Sequence, residues 1–210
     1  MNRFAAIIAV IALGASAPAG ATSLARLSHD QVVDASDAIV EGTVSLVWST
    51  VDERGRVWTR AVVEVDRSLK GDHSAGDVVT VEAAGGTSPT GAVTYVGLTS
   101  RYSKGERVLL YLCEKRQGTV YGTVGMMMGK YTIKQNPADG SDMVVRFTVP
   151  ADEAYDARFI PNPPVADRVS LASMESKVAA RVAEGWDGEP IPGISRERLL
   201  LINNVQSGVK

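Results

Sequence analysis

The chain is poor in the residues that most often carry chemistry. Its 210 residues include one cysteine, Cys113, and two histidines, His29 and His73. A lone cysteine excludes an internal disulfide, so the core alone has to hold the fold. Cys113 follows the apolar stretch Val108 to Leu112 and reads as a buried, inert thiol. Neither histidine opens a His-Glu-x-x-His zinc signature, because Asp30 and Ser74 follow them. There is no Gly-x-Ser-x-Gly elbow, and Cys113 has no evident histidine partner, so hydrolase triads lack support. No catalytic residue is assigned and no cofactor is expected. Runs of Lys or Arg are also missing, and the net charge is −2. That balance argues against nucleic acid or an anionic membrane as partner.

Long apolar runs are missing too. The longest, Phe4 to Ala15, falls short of the roughly 20 residues that span a bilayer. Arg3 precedes it, and Ala19-Gly20-Ala21 fits a small-x-small cleavage pattern. Residues 1–21 therefore read as a signal peptide cut before Thr22. The expectation is an exported protein, periplasmic or extracellular, with no membrane span after signal removal. No cysteine stands at the cut to carry a lipid anchor.

What is present is a series of short strands. "AIVEGTVSLVW" (38–48) comes first and "RVWTRAVVEV" (56–65) second. Between them Asp52-Glu53-Arg54-Gly55 fits a type I turn, with glycine at the left-handed position. Val57, Ala61, Val63 and Val65 alternate with Trp58, Arg60 and Glu64, which predicts one buried face. Trp48 and Trp58 lie on opposite arms of this hairpin, and a cross-strand aromatic contact is expected. Further strands are predicted over 77–86, 91–97, 105–115, 119–125, 129–135 and 142–149, each bounded by Gly, Asp-Gly or Asn-Pro turns. Strands this closely spaced, without helical periods between them, imply a mainly β barrel or sandwich.

The composition changes after residue 149. Six of the nine prolines lie between 150 and 192, so "DEAYDARFIPNPP" reads as an extended segment laid along the domain. Its acids Asp152, Glu153 and Asp156 lack the spacing of a calcium loop. Leu171, Met174, Val178 and Val182 then recur at spacings of three and four, which predicts one amphipathic helix ending near Gly185. A short second helix is expected over 195–203. The division is thus residues 22–149 for the β domain and 150–210 for a Pro-rich and helical appendage.

Residues 124–131, "VGMMMGKY", hold three of the six methionines. A phosphate loop would need glycine where Val124 stands and Ser or Thr where Tyr131 stands. Read as a strand, the segment puts Met126 and Met128 on one face, and thioethers there suit Cu(I). His73, in "KGDHSAGD", is the histidine that would join them, although a solvated loop histidine is the simpler reading of it.

The words "SDAIVEGTV", "TRAVVEVDRSLKGD", "SKGERVLLYL" and "VGMMMGKYTI", in this order, resemble bacterial exported proteins of the TIMP/netrin-like type. The resemblance covers residues 34–135 best. It implies an OB-like Greek-key β-barrel, a five-stranded and partly open barrel with elaborations. In the inhibitor branch of that type, an N-terminal cysteine chelates a protease zinc and disulfides clamp the barrel. The mature terminus Thr22-Ser23 and the single cysteine depart from both points. The resemblance therefore transfers a fold more than an activity.

Three functions compete. The first is an exported, non-enzymatic binding or interaction protein for a protein or small ligand. It would use the loops 70–77 (Lys70, Asp72, His73) and 83–93 (Gly85, Gly86, Thr87). The second is periplasmic Cu(I) binding through Met126 and Met128. The third is an unrecognised hydrolase or a loop-mediated protease inhibitor.

Overall fold

A computed structural model describes residues 27–116, 120–148 and 165–204. The signal segment 1–21 and the Pro-rich stretch with Asp152, Glu153 and Asp156 lie outside the described residues. The described residues are mainly β, with less helix than strand.

A short helix α1 (His29–Asp34) opens the described chain. Ser28 and Gln31 close a reciprocal capping box at its start, satisfying two backbone donors that the first turn leaves free. Strands β1 (Ala38–Val51) and β2 (Val57–Lys70) then form a long antiparallel hairpin. Its turn is the expected one: the Gly55 N–H donates to the Asp52 carbonyl at 2.9 Å, and Gly55 has φ +75°. The Asp52 carboxylate accepts from the Trp58 indole N–H, the Arg54 and Arg56 backbone N–H groups and the Arg56 side chain. These donors, Trp58 foremost, hold it well below the usual carboxylate range.

The expected tryptophan pairing does not form. Trp48 lies opposite Arg60, and Trp58 lies opposite Thr50. The Trp58 ring instead carries the Arg56 guanidinium at 5.4 Å and the Lys115 ammonium at 5.2 Å.

The next strands are β3 (Val78–Ala84), the two-residue pair β4 (Gly86–Thr87) and β5 (Val93–Thr94), β6 (Arg107–Arg116) and β7 (Val120–Thr123). The seven-residue strand expected over 91–97 shrinks to β5, with Val93 and Tyr95 exposed. β1 pairs with β2, β2 with β3, β3 in parallel with β7, β7 with β6, and β6 again with β1. From β6 the sheet continues outward through β8 (Lys130–Gln135), β9 (Asp142–Thr148) and β10 (Val165–Ser170). Helices α2 (Leu171–Glu184) and α3 (Arg196–Asn204) follow. The Ser170 hydroxyl caps α2, and Gly185 at φ +74° ends it where the sequence predicts an end. None of the described helices is long and apolar enough to cross a membrane.

Two cores flank β1 and β6. One gathers Val40, Val44, Ala61, Val63, Val79, Val81, Leu110 and Leu112 from β1, β2, β3 and β6. The other gathers Ile39, Leu109 and Tyr111 from the opposite faces of β1 and β6, with Val33, Leu171, Met174, Val178 and Leu199 from the helices. Strand β6 is thus buried on both sides, which explains the unbroken run Val-Leu-Leu-Tyr-Leu where an alternating pattern would suit a one-sided strand.

The methionine triplet is not strand. Met126–Gly129 form a 3-10 turn entered through left-handed Gly125, and Met126 itself has φ +58°. Gly129 explains the departure, since a Cβ there would meet the Val124 carbonyl at 2.6 Å and the Tyr111 carbonyl at 2.9 Å. The chain has to fold tightly over β6 before β8 can begin. Successive residues of such a turn lie about 120° apart around its axis, so Met126 and Met128 do not share a strand face.

Candidate functional site

One cavity opens where β2 ends and the C-terminal helices close over it. Its volume is about 770 Å³, within the range of ordinary ligand sites. Three of the residues singled out from sequence, Lys70, Asp72 and His73, line it together with Glu114, Tyr121 and Arg198. Leu69, Val182, Leu201 and Ile202 give it an apolar side, and Leu201 is 61 % exposed.

The word Leu-Lys-Gly builds this corner. Leu69 packs on the helix-side core. Lys70, the last residue of β2, is only 5 % exposed, and its ammonium donates to the Val33 carbonyl at 2.8 Å. That carbonyl belongs to the C-terminal turn of α1, where a cation is favoured. Burial lowers the Lys70 ammonium to about 8, while Asp34 and Asp37 act in the opposite direction. Gly71 follows at φ +87°, and a Cβ there would stand 2.8 Å from the Asp37 carbonyl. Only glycine lets the chain leave β2 this close to the start of β1.

Carboxylates tie the corner to the helices. Asp34, buried, takes two hydrogen bonds from Arg181 of α2, at 3.0 and 2.6 Å. Burial raises Asp34 and the guanidinium opposes that rise. Asp37 accepts from the Glu114 backbone N–H at 2.7 Å and from Arg198 of α3 at 2.5 Å. Two acids, Asp34 at the end of α1 and Asp37 just after it, thus fix both C-terminal helices around the cavity.

His73 is not a freely solvated loop histidine. Its Nε2 lies 3.2 Å from the Tyr121 hydroxyl, and the rings meet edge to face at 5.5 Å. Burial raises the Tyr121 phenol, which leaves it a neutral hydrogen-bonding group. Asp72 and Glu114 have no ion-pair partner among the described residues. The arrangement offers apolar contact, two open carboxylates and a His–Tyr pair. Lys70 is sequestered by its bond to Val33, and Cys113 sits away from this lining with its thiol raised by burial.

The second predicted loop lines a different cavity. Gly85, Gly86 and Thr87 border a space of about 340 Å³ with Ser49, Thr59 and Tyr95. A Cβ on Gly86 would reach the Thr59 hydroxyl at 2.3 Å, so the hairpin hydroxyls press directly on this bend. A third, smaller space of about 40 Å³ has Met128 on its wall beside His29, Tyr111 and Arg146. His29 Nε2 is already 3.1 Å from the Tyr111 hydroxyl, and Met126 does not line that space. Among the described residues, no three His, Cys, Asp or Glu side chains converge as a metal-binding group.

Sequence reading missed Asp37, Tyr121, Arg198 and Leu201. They come from positions up to 164 residues apart, and no local pattern links them. Helix α1 does carry a local signal, the capping-box spacing of Ser28 and Gln31. Compared with protein-family models and with curated proteins, the chain matches none.

Proposed function

We propose that this chain is an exported, non-enzymatic binding protein built on an OB-like barrel of the TIMP/netrin-like type, with the cavity at Lys70–His73 as its binding site. The observation that carries the proposal is the open 770 Å³ cavity with an exposed leucine, Leu201, on its apolar side. A partner seated against Leu69, Val182, Leu201 and Ile202 would remove this apolar wall from water. The barrel reading is supported by the closed order of pairings β1-β2-β3-β7-β6-β1 and by the parallel contact of β3 with β7. Export is supported by the pattern of residues 1–21.

The test is a titration of isotope-labelled protein with concentrated exported-fraction extract, read in amide spectra. The proposal expects shifts that cluster at Lys70–His73, Tyr121 and Arg198–Ile202. Shifts confined to Gly85–Thr87 and Tyr95, or a hydrolytic activity lost on one point substitution, would overturn it.

A further inference from the structure

Glu41 is a carboxylate in a place that suits none. It lies on β1 between Val40 and Gly42, is 8 % exposed, and its Oε1 accepts no hydrogen bond. Opposite it in the ladder stands Arg67 of β2. The Arg67 guanidinium lies 3.5 Å from Glu41 Oε1 and 2.7 Å from Glu175 Oε1 of helix α2. Two carboxylates, one of them buried, thus share a single guanidinium that is itself half exposed. The charged groups facing Glu41 are Arg67 from β2, Glu175 from α2 and Arg107 from β6. Arg107 is already committed to Asp142 of β9 through two hydrogen bonds, at 3.0 and 2.8 Å.

We infer that Glu41, Arg67 and Glu175 form a proton-operated latch, which holds helix α2 against the β1–β2 ladder while one proton is shared and slackens when both carboxyls ionise. With one proton present, the Glu41 carboxyl is neutral in its apolar site and bonds to the Glu175 carboxylate, which keeps the arginine. When that proton leaves, a second negative charge appears in the buried position with no second cation to meet it. The weakest attachment in reach is the helix, because β1 is fixed between β2 and β6 by backbone pairing.

Burial, then the bond to Glu175, lifts Glu41 to about 7 from an ordinary value of 4.5. Since the folded value exceeds the unfolded one, the native state holds the extra proton between those limits. The latch's contribution is therefore complete at the acid end and lost as pH rises through about 7. Helix α2 also carries Val182, which lines the cavity, and Arg181, which clamps Asp34. An effect on ligand binding would rest on the function proposed above, but the latch itself requires no ligand.

Carbon-detected NMR of the Glu41 side-chain carboxyl in the wild-type protein tests it, together with amide exchange across α2. A carboxyl midpoint near 7 is expected. Protection of residues 171–184, corrected for the intrinsic pH trend, should fall on the order of tenfold between about pH 6 and about pH 8. In Glu41→Gln and in Glu175→Gln the fall should vanish. A carboxyl midpoint near the ordinary value overturns the latch, and so does parallel exchange in wild type and variants. If Glu41→Gln does not fold, the wild-type carboxyl titration and Glu175→Gln still decide.

Discussion

Single residues explain the local shape of the cavity corner. Gly71 is left-handed, and a Cβ there would stand 2.8 Å from the Asp37 carbonyl. Gly71→Ala should therefore cost about 2 kcal/mol, combining backbone strain with a forced shift of β1. Urea unfolding of the variant against wild type measures it, and Gly55→Ala is the control, strained at φ +75° but without a neighbouring atom within 4 Å. Lys70 gives a prediction in pH. Its folded value near 8 lies below the ordinary 10.5, so the native state sheds its proton first as pH rises. Stability from this group should grow between about pH 8 and about pH 10.5, by up to about 3 kcal/mol, and fall back as pH is lowered. The difference in unfolding free energy between wild type and Lys70→Met, followed across that window, should show this rise. Parallel curves would show that Lys70 is not buried in its charged form.

Whole elements differ in how well local sequence marks them. The β1–β2 hairpin is legible because turn chemistry and alternation agree on it. Helix α2 is legible because four apolar positions share one face and serine and glycine bracket it. Strand β10, "VADRVS", is not, since a six-residue segment after three prolines shows no clear period and forms by pairing with β9. The methionine turn is illegible for another reason. What sets it is the closeness of Gly129 to the Val124 and Tyr111 carbonyls, which is a tertiary fact. Element docking gives its own prediction. Arg181 joins α2 to the buried Asp34 of α1, so Arg181→Met leaves that carboxylate without its partner. The loss should be about 3 kcal/mol or more. Asp34→Asn added to Arg181→Met should recover part of it, because the uncompensated charge is then removed. Equal stability of the single and double variants would contradict this account of the clamp.

The molecule as a whole reads as β in sequence, and the structure is mainly β. The cavity could not be read there, because Asp37, Lys70, Tyr121, Arg198 and Leu201 meet only after the C-terminal helices return to the first strand. Residues 171–199 also supply five members of the second core, Leu171, Met174, Val178, Ile191 and Leu199. A chain ending at Thr148 should lose the cooperative thermal transition of the full protein, since the Ile39, Leu109 and Tyr111 faces would then meet water. The central claim is that the cavity beside Lys70 binds a partner. Capture from the exported fraction on immobilised wild type, Leu201→Asp and Tyr95→Asp tests it most directly. The account predicts a partner retained by wild type and by Tyr95→Asp, the variant in the second cavity, and lost with Leu201→Asp. Retention by Leu201→Asp at the wild-type level, or loss only with Tyr95→Asp, would contradict it.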